Sequence, residues 1–169
     1  VTVTETAPHE HEGLLTTANG RIHAAHVEAL LGLIEALTCL DIDRAEGALR
    51  TLDADLTAHL GLEDETSHRR YAELADHPRG AAPELFAADH VSLSKVMGAC
   101  QEVLAALGPQ DAGIRRRVVL ALPTFYRLRN VLEHHTLREQ RFLYPRLDEI
   151  LDAAAAAAMA RALTSPAGS

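Results

Sequence analysis

The chain has 169 residues with 24 acidic against 16 basic side chains, a formal net charge of -8, 47% hydrophobic residues, 4% aromatic residues and no tryptophan. That length and apolar content suit one domain with a real core and exclude a disordered chain. The negative charge repels nucleic acid and anionic membrane, and the short basic run Arg115 to Arg117 does not reverse it, so neither is an expected partner.

Alanine and leucine dominate while β-branched residues are sparse, which predicts an all-α fold. Residues 1–18 read as a flexible N-terminal arm, which includes the polar tract His-Glu-His-Glu at 9–12, and residues 19–165 as the domain. The arm has no apolar stretch of signal-peptide length, and the alanine-rich run from 153 to 160 is too short to span a bilayer. The expected location is cytoplasmic. Cys39 and Cys100 stand far apart without a paired thiolate spacing, so both read as buried thiols.

A first helix is predicted from about Arg21 to Leu40, with His26, Leu30, Leu33 and Leu37 on one face. His23, one turn before His26, can also face inward; the register with the three leucines favours His26. The second helix runs from about Arg44 to Leu74 and aligns Leu52, Leu56, His59 and Glu63, until the stretch around Pro78 and Gly80 breaks it. Pro83 opens the third, which carries Phe86, His90, Leu93, Met97 and Leu104 along one side. The fourth spans about Ile114 to Leu147, with Leu128, Leu132, His135, Glu139 and Phe142 on its stripe, Pro123 as a candidate kink and Pro145 as a candidate end or bend. A short alanine-rich helix, about Leu147 to Leu163, packs outside. Four long helices joined by short polar turns predict an up-down-up-down four-helix bundle with a short extra C-terminal helix.

Each inward stripe thus holds a histidine, and the second and fourth also hold a glutamate four residues later. Residues i and i+4 lie one turn apart on one helix face, so the pairs His59/Glu63 and His135/Glu139 can each present an imidazole and a carboxylate to one point. Unpaired buried carboxylates cost several kcal/mol apiece, and a domain of small net stability needs a compensating cation to carry them. The candidate metal ligands are therefore His26, His59, Glu63, His90, His135 and Glu139. His134 is excluded because Arg138 stands four residues beyond it. Four imidazoles and two carboxylates suit iron or manganese, with zinc possible. If Glu63 and Glu139 both bridge a pair of octahedral irons joined by an oxo or hydroxo group, about two coordination positions stay open for a small molecule.

With these residues in place, the segment from 20 to 150 resembles the hemerythrin-like, or HHE cation-binding, family of four-helix proteins with a non-haem di-iron centre. The resemblance rests on His-Thr-Leu-Arg-Glu-Gln-Arg-Phe-Leu-Tyr-Pro-Arg-Leu at 135–147, on His59-x3-Glu63, and on the stretches around His26 and His90. The second helix lacks the family's aromatic-Pro ending. Position 94, where the family's oxygen carriers have a second histidine on the third helix, is Ser94 here, so the chain is similar to the branch with four histidines and two glutamates. The resemblance implies two iron ions and a small oxidant as partner: dioxygen, peroxide or nitric oxide, with an electron donor of unknown identity. A redox role is the expected function; a non-catalytic oxygen- or iron-binding or sensing module is the alternative.

Overall fold

The computed structural model describes residues 13–108 and 112–164. The His-Glu-His-Glu tract lies outside them. Helix α1 (Leu14–Thr38) is followed by α2 (Ile42–Glu63), which continues through a π turn (Asp64–His68) into α3 (Arg69–Ala72). Helix α4 (Pro83–Ala105) comes next, and α5 (Ile114–Arg138) runs through a second π turn (Glu139–Leu143) into α6 (Tyr144–Ile150). Helix α7 (Ala153–Thr164) completes the order. Among the described residues there is no strand, and no helix is long and apolar enough to cross a membrane. The all-α bundle with a short C-terminal helix agrees with the prediction.

The neighbours α1 with α2, α4 with α5, α1 with α5 and α2 with α4 close a four-cornered bundle, and α7 packs on α1 and α2. Two apolar cores fill it. One contains Leu30, Leu33 and Leu37 of α1, Leu52 and Leu56 of α2, Leu93 and Met97 of α4, and Leu128 and Leu132 of α5. The other contains Leu15, Tyr71, Phe86, Leu143, Tyr144 and Leu147, closed by Ala156, Ala160 and Leu163 of α7. The chain passes between the cores in alternating directions: α1 runs from the second to the first, α2 and α3 return, α4 repeats the first direction, and α5 with α6 returns again. On all four rods the buried polar residues fall between the two cores.

Helix α1 starts at Leu14, earlier than the expected Arg21, so residues 14–18, predicted as part of the arm, form its first turn. A distant side chain supplies the cap: Asp148 of α6 accepts from the backbone N–H groups of Leu15 (2.9 Å) and Thr16 (3.0 Å) and from the Thr16 hydroxyl (2.8 Å). These satisfy donors that open every helix, and they place a carboxylate at the positive end of the helix dipole. Gly13 lets the carboxylate approach, since a Cβ there would stand 1.9 Å from Asp148 Oδ2. Between α1 and α2, Leu40 takes a left-handed φ of 63°, and Asp41 caps α2 by accepting from the Arg44 N–H (3.2 Å). Cys100 is buried, and its burial pushes the thiol up to about 12; Cys39 is exposed, contrary to expectation, because it caps α1 in the turn instead of lying on its inner stripe.

Candidate metal centre

The two π turns follow the two glutamates. In a regular α-helix residue i+5 stands about 140° around the axis from residue i, whereas a turn closed from i to i+5 brings it back to the same side. His68, five residues after Glu63, and Tyr144, five after Glu139, thereby rejoin the inner face of their rods. In the first π turn the Thr66 hydroxyl donates to the Leu62 carbonyl and Ser67 Oγ to the Glu63 carbonyl at 3.3 Å, satisfying acceptors at the widened segment. The second π turn ends at Leu143, just before Pro145, whose ring has no N–H for the Arg141 carbonyl and would press on it in a regular helix. Pro145 therefore sits in the first turn of α6, which continues to Ile150, so the helix is widened here and not ended.

Around this layer His23, His26, His59, Glu63, His90, His135 and Glu139 are all buried, with Glu63, His135 and Glu139 fully so. Their ligand atoms gather into two groups. His23, Glu63, His135 and Glu139 form one, and Glu63, His68, His90 and Glu139 the other, with the atoms of each group within 4.8 Å of one another. Both groups use both glutamates. His23 Nε2 lies 3.7 Å from Glu63 Oε1 and 3.6 Å from Glu139 Oε2, and His135 Nε2 lies 3.7 Å from Glu63 Oε2 and 3.6 Å from Glu139 Oε2. His59 Nε2 stands 3.0 Å from Glu63 Oε1 and 3.1 Å from His23 Nε2. In the other group His68 Nε2 is 2.6 Å from Glu139 Oε1 and His90 Nε2 is 3.4 Å from Glu63 Oε2.

Separations of 3.4–3.7 Å are long for hydrogen bonds but close to the roughly 3–3.5 Å between two atoms that each sit about 2.1 Å from a shared ion. Glu63 Oε2, His90 Nε2 and His135 Nε2 are buried without a hydrogen-bond partner. Buried polar atoms normally find one. Cations held by the two groups would satisfy all three, so the residues present fit a metal.

Two further side chains hold the carboxylates. Tyr144, fully buried, donates its hydroxyl proton to Glu63 Oε1 at 2.7 Å and lies 3.2 Å from Ser67 Oγ. Asn19, fully buried on α1, donates from Nδ2 to Glu139 Oε2 at 3.1 Å. Burial raises the Tyr144 phenol well above its ordinary range, with Glu63 and Glu139 adding to the effect, so it keeps its proton. Burial also dominates the imidazoles: it lowers His23 to about 3, His26 and His68 to about 4, and His135 well below its usual value. Neutral imidazoles are the form that binds metal. The carboxylates split. Burial pushes Glu63 upward, but the surrounding imidazoles of His59, His90 and His23 together hold it well below the usual range. Burial and the adjacent Glu63 raise Glu139 well above that range.

Of the six candidates named from sequence, His59, Glu63, His90, His135 and Glu139 come together here. His26 is buried beside them, its ring 5.3 Å from that of His59; neither His26 nor His59 belongs to a group, and the α1 histidine that does is His23. Asp55 lines a cleft with His26 and His59 and raises the His26 pKa against burial. Arg138 stays on the rim, 3.0 Å from Asp89 Oδ2 and donating to His134 Nε2 at 2.7 Å. The Ser94 hydroxyl turns back to the His90 carbonyl at 3.0 Å. Asn19 and His68 were not anticipated as site residues. The signal for His68 was the repeated spacing of a polar ring five residues after each glutamate, which a strict 3.6-residue period discards.

Comparisons with models of known protein families, with curated proteins and with solved structures give no match to this chain. Fold and site alone define the class: an all-helical bundle with a buried His/Glu cluster that could hold a metal ion.

Proposed function

We propose that the chain is a hemerythrin-like protein whose buried layer holds two metal ions and brings them to react with a small oxidant. The observation that carries this reading is the sharing of Glu63 and Glu139 by both ligand groups, since two carboxylates common to two sites are what a bridged pair of ions requires. The imidazole and carboxylate donors suit iron, with manganese and zinc as alternatives. A bound di-iron pair would supply electrons to dioxygen, peroxide or nitric oxide, replenished by a separate donor.

The chain's own residues prepare that site. Neutral His23 and His135 offer lone pairs on one side, His90 offers one on the other, and His59 stands against Glu63. The Tyr144 hydroxyl fixes Glu63 and the Asn19 amide fixes Glu139, so each carboxylate is oriented by a donor outside the ligand set. The apolar cores on either side exclude bulk water. A pocket of about 310 Å³ lined by Asp64, His68, Tyr71 and Phe86 gives a small molecule a route to the His68 side.

The test is elemental analysis of tag-free protein after anaerobic ferrous loading, followed by exposure to dioxygen and to peroxide. Two irons per chain and consumption of the oxidant are expected. A spectrum that reverts fully when oxygen is removed would make the chain a binding module, and an absence of bound metal would remove the reading altogether.

A further inference from the structure

The His68 side of the layer has an arrangement that the six sequence-derived ligands do not explain. Asp64, the first residue of the π turn, places Oδ1 3.3 Å from His68 Nδ1 and 3.0 Å from His90 Nδ1. One half-exposed carboxylate thus lies within ion-pair distance of two imidazoles that come from different rods, although its direction to His90 Nδ1 is not that of a hydrogen bond. An Nδ1 proton facing a carboxylate leaves Nε2 as the lone-pair nitrogen, and ligating histidines are commonly held through their other nitrogen in this way. The Nε2 atoms of both rings point into the layer: His68 Nε2 makes a 2.6 Å hydrogen bond with Glu139 Oε1, a contact that an ion between them would replace, and His90 Nε2 is 3.4 Å from Glu63 Oε2 with no hydrogen-bond partner. The two rings lie 4.4 Å apart at their centroids and are tilted by 30°, side by side on the same carboxylate pair.

We propose that His68 is a ligand of the second metal ion, held in place together with His90 by the shared Asp64 carboxylate, so that a fifth imidazole reaches the centre from the π turn. The inference rests on the dinuclear reading above and deepens it. With His68 included, a second ion would be held by His68, His90, Glu63 and Glu139, and a first by His23, His135 and the same carboxylates, with His59 adjacent. The π turn is the structural cause. Position 94 on α4 points its hydroxyl back along its own helix, and the widened turn after Glu63 delivers a ring to the second group instead. His68 also lines an open pocket beside the layer, as His26 and His59 line another.

Anaerobic ferrous iron is the probe. Wild type, His68→Gly, His68→Phe, Asp64→Ala and Asp64→Glu are loaded in parallel, with iron per chain measured and the iron environments read by Mössbauer spectroscopy. His68→Phe keeps an aromatic ring beside Phe86, whose centroid is 5.5 Å from that of His68, and so serves as the variant that preserves packing. The wild type is expected to hold two irons. Both His68 variants should hold one and lose one Mössbauer component, and millimolar imidazole should restore the second iron in His68→Gly through the adjoining pocket but not in His68→Phe. Asp64→Ala should weaken the second iron about 10- to 100-fold, with partial recovery in Asp64→Glu. A folded His68→Phe protein with two irons and the wild-type spectrum would overturn the assignment while leaving the dinuclear centre intact. A wild type that binds no iron would overturn both.

Discussion

Lowering the pH from 7 to 5 is expected to destabilise the metal-stripped protein by about 3 kcal/mol or more. His23 is held at about 3 and His26 and His68 at about 4, against a value of 6.5 in the unfolded chain. At pH 5 these three rings are neutral in the fold and protonated in the unfolded chain. Stability from a depressed imidazole is fully present above pH 6.5 and drains away as the pH falls toward its folded value. At pH 5 the loss is about 2 kcal/mol per ring, or about 6 kcal/mol for the three. His135, also depressed, adds in the same direction. Glu139 opposes them: its raised folded pKa favours the fold at low pH, by at most about 3 kcal/mol across two pH units. A loss of about 3 kcal/mol is a large part of the roughly 5–15 kcal/mol that holds a domain. Urea unfolding of chelator-treated protein, followed by far-ultraviolet circular dichroism at pH 7, 6 and 5, measures it. An unchanged midpoint with an unchanged slope would show that these imidazoles are not kept neutral by burial, and the reasoning about their lone pairs would fail with it.

Replacing Glu139 with Ala should cost at least one iron per chain, since both ligand groups use it; a folded variant with two irons would remove Glu139 from the shared position. His23→Ala should lower iron content while His26→Ala leaves it near the wild-type level, and elemental analysis showing the reverse would return the α1 ligand to His26. Asp148→Ala removes three hydrogen bonds from the start of α1, so thermal unfolding should show a loss of about 1–2 kcal/mol. Early proteolysis between Leu14 and Asn19 should accompany it. An unchanged unfolding temperature would mean that the first turn is satisfied by water.

Most of the fold is legible in the chain because an amphipathic helix repeats its apolar residue every three or four positions, and the four stripes through Leu30, Leu52, Leu93 and Leu128 do so clearly. The interrupted stripes also mark the polar layer, since a histidine or glutamate inside a leucine stripe has nowhere to go but inward. All six ligand candidates are buried in the layer for that reason, and Glu63, His90, His135 and Glu139 fall within its ligand groups. The α1 ligand could not be fixed this way, because His23 and His26 are both compatible with an inward face and the leucine register does not decide which ring reaches the carboxylates. Only the depth at which α1 packs against α2 and α5 places His23 Nε2 beside Glu63 and Glu139.

The sequence by itself determines the all-helical class, the helix order and the burial of imidazoles and carboxylates at one level of the bundle, because these follow from local propensity and period. Tertiary structure decides what the period cannot express. The cap on α1 comes from Asp148, 133 residues away from Leu15. The π turns abandon the 3.6-residue repeat after each glutamate, and only then do His68 and Tyr144 face the same interior as Glu63 and Glu139. Asp64 meets His68 and His90 because two rods that are distant in the chain pack side by side. A local pattern reports the face of one helix, whereas a metal centre is defined by where the faces of several helices meet.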